Sequence, residues 1–288
     1  MKLYSFQLNG KERIGVLIPG ENRFVDLSAS NPQIAQNMLA FIQAGQSSMD
    51  LANEALDSHL KVDLKFEEVR LIAPLTRPGK ILCSGINYRS HLKENPRATL
   101  PKDPFFFAKM PSAVIGPGET IKLPKGSEQV DYEIELAVIM GKAISDAPPE
   151  KALQAIFGYT ILNDVSARDV QFKENQITLG KNFDTFCPIG PCIVTGEELR
   201  SANQVRLRTY LNGEIMQNGS TADWLFDLGY LLSFLSKVMT LLPGDIISTG
   251  TPAGVGLFRN PPVFLKSGDV VRLEAEGIGV LENRVSAA

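Results

Sequence analysis

The chain has 288 residues, of which 44% are hydrophobic, and its formal net charge at pH 7 is −3. This length and apolar content predict one large domain, or a large domain with a small one, around a sizeable core. Acidic and basic residues are interspersed, so the sequence contains no basic segment of the kind that binds nucleic acid. We therefore expect no nucleic-acid partner.

The sequence predicts neither secretion nor a membrane span. Its first residues, MKLYSFQLNGKERIG, become polar too early for the apolar part of a signal peptide. The most apolar long segment, WLFDLGYLLSFLSKVMTLL, contains Asp227 and Lys237 and indicates an amphipathic core helix. The three cysteines are odd in number and lack CxxC spacing, which favours reduced thiols. We therefore expect a cytoplasmic protein with no membrane partner.

The first third of the chain predicts strands followed by helices. Residues 1–27 read as short strands, and Asn9-Gly10 between LYSFQL and RIGVLI is a strong hairpin signal. Residues 31–58 predict helical pieces.

The composition changes between residues 70 and 78, where Pro74 and Pro78 lie. From Ile81 onward, apolar strands alternate with Gly/Pro turns, and Asn212-Gly213 predicts another hairpin. We predict a small N-terminal α+β domain followed by a larger domain, with the bounds 1–74 and 75–288.

The segment VDYEIELAVIMG, residues 130–141, places three acids at alternate positions before an apolar run. Side chains alternate along a strand, so Asp131, Glu133 and Glu135 would share one face, about 7 Å apart. Two charges at that distance repel by roughly 0.6 kcal/mol in water and by about 2.4 kcal/mol at an effective dielectric of 20. The acids lie either on a solvated edge or, because LAVIM indicates an interior strand, at a cleft that holds a cation.

A further carboxylate follows in GYTILNDVSARDVQ, residues 158–171, which reads as an apolar strand ending at Asp164. Ser166 and Asp169 have the spacing of a capping box, with Asp in place of the usual Glu, and predict a helix start. Taken alone, Asp164 is most simply a turn or cap residue. Combined with two acids of the preceding strand, it would complete a set of three carboxylates that suits Mg²⁺ or Mn²⁺. Few histidines and no paired cysteines argue against zinc.

One of the two histidines has an acidic neighbour. His91, in GINYRSHLKEN, precedes Glu94 by three residues, and a helical turn would place the two side chains together. A carboxylate beside an imidazole is typical of an oriented general base. The alternative is an exposed ion pair worth about a few tenths of a kcal/mol. His59 has no such acid and is expected at the surface.

The segment GDIISTGTPAGVG, residues 244–256, is a strand that enters a loop rich in Gly, Thr and Pro. It lacks the GK[ST] ending of a phosphate loop, but its N–H groups and the hydroxyls of Thr249 and Thr251 could hold a carboxylate. The alternative is a tight turn. Lys109 and Lys181 lie in apolar or Gly/Pro surroundings, which makes each a candidate for binding an anion.

Six segments occur in a fixed order: GINYRSHLKEN, FFFAKMPSAVIGPG, VDYEIELAVIMGK, NDVSARDVQ, GKNFDTFCPIGP and GDIISTGTPAGVG. Together they resemble the fumarylacetoacetate hydrolase (FAH) family over about residues 79–285. LFRNPPVFLKSGD resembles in particular the subgroup of FAH domain-containing protein 2 and its bacterial relatives. The resemblance implies an α+β fold with a mixed β-roll or sandwich, usually a homodimer, and one Mg²⁺ or Mn²⁺ per subunit.

The resemblance also implies roles for individual residues. The metal ligands would be Glu133, Glu135 and Asp164, while Asp131 would only flank the site. The catalytic residues would be His91, Glu94 and Lys181. The positions implied to contact substrate or support the site are Lys109, Arg168, Gln171 and Thr251.

Members of this family act on small 2-oxo acids, whose carboxylate and 2-oxo oxygen can chelate a metal that stabilises an enolate. We expect first the hydrolysis of a C–C bond in an acylpyruvate or fumarylpyruvate-type 2,4-diketo acid. The alternatives are decarboxylation or tautomerisation of oxaloacetate, and isomerisation or decarboxylation of intermediates of aromatic catabolism. A further alternative is a catalytically silent member that binds only a metal or a carboxylate.

Overall fold

A computed structural model describes residues 1–58, 61–96, 98–173, 176–199 and 201–288. Strands dominate these ranges. In chain order they are β1 Lys2–Leu8, β2 Lys11–Leu17, β3 Arg23–Asp26, β4 Asp63–Lys65, β5 Arg70–Leu71, β6 Ile81–Ser84, β7 Phe106–Lys109, β8 Val114–Ile115, β9 Thr120–Leu123, β10 Val130–Asp131, β11 Ile134–Met140, β12 Ile156–Asn163, β13 Ser166–Ala167, β14 Cys187–Thr195, β15 Arg206–Leu211, β16 Glu214–Ser220, β17 Ile246–Ser248, β18 Val270–Ala275 and β19 Gly279–Ala287.

The helices in these ranges are few and mostly short. They are α1 Leu27–Ser30, α2 Met38–Gln43, α3 Gln46–Asp57, α4 Arg89–Glu94, α5 Pro149–Leu153, α6 Arg168–Gln171, α7 Ile177–Gly180 and α8 Leu228–Val238. The predicted α+β fold, built mainly from sheets, is confirmed.

The largest sheet has twelve strands in the order β4-β3-β2-β1-β14-β12-β11-β17-β6-β7, with β5 beside β1 and β8 beside β14. Its two parts join where β1 pairs antiparallel with β14, with Leu3 opposite Ile193. Strands from both sides of the predicted boundary therefore share one sheet, and the bounds 1–74 and 75–288 stay a prediction.

A five-stranded sheet, β16-β15-β18-β19-β9, shares a hydrophobic core with the large sheet. Successive side chains of β11 point to opposite faces, so they enter two different cores. Leu136 and Val138 lie in the core that contains Leu273 of β18. Ala137 and Ile139 lie in the core that contains Phe41 of α2. The strand β11 is buried on both faces, as the apolar run LAVIM predicted.

Both predicted hairpins are present. The first joins β1 to β2 through Asn9 and Gly10, which have φ of 51° and 75°. The second joins β15 to β16 through Asn212 and Gly213, with φ of 53° and 86°. Two consecutive residues with positive φ match the twist of the flanking strands, which explains the Asn-Gly pairs.

The most apolar segment forms α8, as predicted. Asp227 caps it by accepting a hydrogen bond from the N–H of Tyr230 at 2.8 Å, and Leu231, Leu232 and Leu235 are buried. Among the helices in the described ranges, none is both long and apolar enough to cross a membrane.

The capping box predicted at Ser166 and Asp169 is wrong. Ser166 belongs to β13, and its hydroxyl donates to the carbonyl of Asp164 at 2.8 Å. The carboxylate of Asp169 accepts hydrogen bonds from the hydroxyl of Ser127 and from the N–H of Glu128. Both side chains are thus bound elsewhere, and α6 begins after Ala167 without a side-chain cap.

Candidate active site

The three alternating acids do not lie on one continuous strand. Asp131 ends β10, Glu133 lies in the break before β11, and Glu135 is the second residue of β11. All three are buried, with 0%, 5% and 1% of their surfaces exposed, respectively. Burial of all three excludes the solvated edge and leaves the cleft interpretation.

Asp164 joins two of these acids because of the register between neighbouring strands. Ile134 of β11 lies opposite Asn163, the last residue of β12, and the N–H of Asp164 donates to the carbonyl of Glu133 at 2.9 Å. One oxygen each from Glu133, Glu135 and Asp164 lie within 4.8 Å of one another. We call these three residues the acid triad. Three buried carboxylates are a donor set for a hard divalent cation such as Mg²⁺ or Mn²⁺.

Two cations hold Glu133 in its ionised form. Nη2 of Arg168 lies 2.6 Å from Oε1 of Glu133, and Nζ of Lys181 lies 2.7 Å from Oε2. Burial alone would raise the pKa of this carboxyl, but the charges of Arg168 and Lys181 outweigh burial and hold the pKa below its usual range. Lys181 also bonds Asp164 at 2.6 Å, so it links two members of the acid triad.

Glu135 lacks such compensation. Burial and then the negative charges of Asp164 and Glu133 raise the pKa of its carboxyl well above the usual value. The backbone N–H of Gly250 donates to Oε2 of Glu135 at 3.1 Å. A divalent cation among the three carboxylates would offset this repulsion, so the residues present fit a metal.

Lys109 has a supporting position. Its Nζ donates to Oδ1 of Asp164 and to the carbonyl of Lys181, both at 2.6 Å, and to the carbonyl of Val165 at 3.2 Å. The side chain is fully buried. These contacts anchor Asp164, and the predicted contact of Lys109 with substrate stays a prediction.

The predicted His–Glu pair forms on the short helix α4. Nδ1 of His91 lies 2.6 Å from Oε1 of Glu94, and Oε2 of Glu94 accepts the N–H of Gly254 at 2.7 Å. A carboxylate that accepts at Nδ1 assigns the ring proton to that atom and leaves Nε2 as the proton acceptor. His91 and Glu94, called the dyad below, therefore have the arrangement of an oriented general base. His59 lies outside the described residues.

The loop of residues 250–258, called the glycine loop, was predicted to hold a carboxylate. The carboxylates that it binds in the structure are side chains of the protein itself. Its N–H groups donate to three acids, from Gly250 to Glu135 at 3.1 Å, from Gly254 to Glu94 at 2.7 Å and from Gly256 to Asp131 at 2.7 Å. The hydroxyl of Thr249 donates to the carbonyl of Leu136 and that of Thr251 to the carbonyl of Ile134, both in β11. One loop thus connects the acid triad with the dyad.

Asp131 has a role that the sequence did not reveal. Oδ2 accepts two hydrogen bonds from Arg168, at 2.9 and 2.8 Å, and a third from the N–H of Leu257 at 3.0 Å. Oδ1 accepts from Gly256. Asp131, the first acid of VDYEIEL, therefore fixes Arg168 against Glu133 and anchors the glycine loop.

A cavity of about 200 Å³ lies above the acid triad. Most of the predicted site residues line it, namely His91, Glu133, Glu135, Arg168, Gln171, Lys181 and Thr251. Sequence reasoning missed its aromatic walls, which are Phe105, Phe107, Phe172 and Phe258. Since drug-sized ligands fill pockets of about 300–1,000 Å³, this cavity suits a smaller molecule.

Crowding around the glycine loop leads to a stability prediction. A Cβ at Gly256 would lie 1.9 Å from the carbonyl oxygen of Val263 and 2.7 Å from Oδ1 of Asp131. Gly256→Ala should therefore lower the free energy of unfolding by about 1–3 kcal/mol, measured by urea denaturation. Gly196→Ala is the control, because a Cβ there meets nothing within 4 Å. Equal stability of the two variants would contradict the observed packing.

The chain belongs to the FAH family. Residues 80–286 match the family described as fumarylacetoacetate (FAA) hydrolase C-terminal. The match confirms the predicted family, and it includes the acid triad and the dyad.

Known proteins resemble the chain over its whole length. The oxaloacetate tautomerase fahd2, mitochondrial, of Xenopus laevis is 42% identical over 289 residues, which cover 99% of this chain and 90% of that protein. The solved fumarylacetoacetate hydrolase of Exiguobacterium antarcticum is 40% identical with a TM-score of 0.88, and each chain is covered completely. Maleylpyruvate hydrolase from Sphingobium sp. SYK-6, solved with manganese(II) and pyruvate, is 30% identical with a TM-score of 0.83, again with complete coverage.

Proposed function

We propose that this protein is a divalent-metal-dependent enzyme that interconverts the keto and enol forms of oxaloacetate, a small 2-oxo dicarboxylic acid. The observation that carries the proposal is that His91 lines the same small cavity as Glu133 and Glu135 while Glu94 fixes its ring. The similarity to an oxaloacetate tautomerase supports this alternative over the C–C hydrolase that we expected first.

The acid triad would hold one Mg²⁺ or Mn²⁺ per chain. When bound there, the cation supplies Lewis-acid stabilisation of negative charge on the 2-oxo oxygen. Lys181 bonds both Glu133 and Asp164, and Lys109 bonds the other carboxylate oxygen of Asp164, so the two lysines hold these ligands in place. The similarity to a hydrolase solved with manganese(II) supports a divalent metal at this site.

The dyad would move the proton. Nε2 of His91 takes a proton from C3 of the keto acid, while the bond from Nδ1–H to Glu94 stabilises the resulting imidazolium. The His91 imidazolium would then give its proton to the 2-oxo oxygen, which yields the enol and returns the imidazole to its starting form, so that no atom or electron is gained or lost. Arg168, Gln171 and Thr251 line the cavity and would orient the acid.

C–C hydrolysis of an acylpyruvate is the second candidate. It is favoured by the likeness to maleylpyruvate hydrolase and by a dyad that could equally activate a water molecule. The catalytically silent alternative has less support, because both members of the dyad are present and bonded. A homodimer stays a prediction. So does a cytoplasmic location, since the name of the Xenopus relative refers to mitochondria.

A substrate panel tests the proposal. Enol oxaloacetate is followed by its ultraviolet absorbance, pyruvate release reports decarboxylation, and loss of the diketo chromophore reports acylpyruvate cleavage. Each reaction is run with Mg²⁺, Mn²⁺ or EDTA and compared with the same solution lacking protein. We expect metal-dependent tautomerisation to be the fastest reaction. Turnover that is unchanged by EDTA, or acylpyruvate cleavage that is faster than tautomerisation, would overturn the proposal.

A further inference from the structure

The small cavity shares a wall with a larger one. A second cavity of about 600 Å³, called the outer groove, is lined by Glu94, Leu211, Met216, Arg259, Pro261 and Val263 among others. Phe258 lines both cavities. The dyad is also divided between them, since His91 lines the small cavity and Glu94 the outer groove. Phe258 and the dyad therefore form the partition between the two spaces.

The ring of Phe258 packs against the dyad. Its centroid lies 6.1 Å from that of His91, with the two planes at 55°. Phe258 ends a short 3₁₀ turn that begins at Gly256. The ring of Phe258 thus lies directly beside His91, the residue that we assign as general base.

Hydrogen bonds to Asp131 fix the backbone that precedes Phe258. The N–H groups of Gly256 and Leu257 both donate to the buried carboxylate of Asp131, at 2.7 and 3.0 Å. The N–H of Val263 donates to the carbonyl of Gly256 at 3.0 Å and closes the loop behind the ring. These bonds fix the place of Phe258, so the partition is a built feature of the site.

We propose that Phe258 is a specificity-determining residue that restricts the site to short 2-oxo acids by closing it off from the outer groove. This inference rests on the proposed function, because it assumes a 2-oxo acid in the small cavity. A short acid such as oxaloacetate would occupy the cavity of about 200 Å³ in front of the ring. A longer acyl tail would need the space behind it, where Leu211, Met216 and Val263 offer apolar surface.

The test compares Phe258→Ala with Phe172→Ala. Phe172 also lines the small cavity but not the outer groove, so it is a matched control. Binding of pyruvate and of straight-chain 2-oxo acids up to 2-oxooctanoate is measured by calorimetry on protein loaded with Mn²⁺. The same variants are assayed with oxaloacetate and with acylpyruvates of rising chain length.

In wild-type protein, affinity should not rise with chain length. In Phe258→Ala it should rise by about fourfold for each methylene that enters the groove, so that the ratio of long-chain to short-chain affinity increases more than about tenfold. Phe172→Ala should leave the ratio unchanged. The ratio cancels any loss common to all ligands that follows from the contact of Phe258 with His91.

An unchanged ratio in Phe258→Ala, or an equal rise in Phe172→Ala, would overturn the inference. So would a wild-type protein that already binds long-chain acids more tightly than pyruvate. If the alanine variant does not fold, Phe258→Leu replaces it in the test. Leucine opens the partition less, so its ratio of long-chain to short-chain affinity should rise to a value between those expected for wild type and Phe258→Ala. If no acid turns over but the binding ratios shift, the proposed reaction fails and the role of Phe258 stands.

Discussion

Replacing His91 with alanine should slow oxaloacetate tautomerisation by about 10²–10⁴-fold, the usual contribution of a positioned general base. The substitution removes the imidazole that Glu94 orients at 2.6 Å and leaves the C3 proton without its acceptor. The loss corresponds to about 2.7–5.5 kcal/mol of transition-state stabilisation. It should appear in kcat and kcat/KM alike, because the proton moves only in the transition state. The measurement is the rate of enol disappearance at saturating metal.

Lys93→Ala is the control for this variant. Lys93 lies on the same helix α4, but its side chain is exposed. Its replacement should leave the rate within about twofold, because Lys93 belongs to neither the dyad nor the acid triad. A surface substitution of this kind usually changes the free energy of unfolding by no more than ~0.5 kcal/mol, so the fold should also be kept. If His91→Ala kept a tenth or more of the wild-type rate, another group would be the base.

Replacing Glu135 with glutamine should weaken Mg²⁺ and Mn²⁺ binding by more than about 100-fold. Partners that only orient the ligands of a metal already contribute about 10–100-fold in affinity, so a direct anionic ligand should contribute more. Glutamine keeps the size of the side chain and removes only its charge. Tautomerisation at low metal concentration should be lost and should return in part when the metal is raised.

A thermal measurement separates this effect from misfolding. Without metal, the neutral amide removes the repulsion between Glu135 and the other two carboxylates. The metal-free variant should therefore melt no lower than metal-free wild type. Added Mn²⁺ should raise the melting temperature of wild type and leave that of the variant nearly unchanged. A variant that melted lower in EDTA and still gained stability from Mn²⁺ would show that Glu135 is a structural residue.

The acid triad and the dyad could be predicted because each depends on short-range geometry. Glu133 and Glu135 belong to one heptapeptide, and His91 and Glu94 to one helical turn, so their spacing already limits where the side chains point. Asp164 needed one more assumption, that neighbouring strands place their ends together. The register of Ile134 with Asn163 satisfies it.

The remaining features depend on contacts between distant parts of the chain. Asp131 accepts N–H groups 125 and 126 residues further along, and no local pattern indicates such partners. The pairing of β1 with β14 likewise joins residues almost two hundred positions apart. Lys109 and Lys181 were predicted as candidates for binding an anion. In the structure both pair with carboxylates of the protein, and their binding of a substrate anion stays a prediction. A helix does begin near Ser166, at Arg168, but the predicted capping box fails. The hydroxyl of Ser166 bonds the nearby carbonyl of Asp164, and Asp169 bonds Ser127 and Glu128.

In the proposed site, the acid triad binds the metal while the dyad performs the proton transfer. Titration with Mn²⁺, followed by the electron paramagnetic resonance signal of the free ion, tests it in wild type, His91→Ala and Glu135→Gln. We predict one site per chain in wild type and in His91→Ala, with similar affinity, and a site weakened by more than about 100-fold in Glu135→Gln. Loss of the Mn²⁺ site in His91→Ala together with its retention in Glu135→Gln would show that the acid triad is not the metal site.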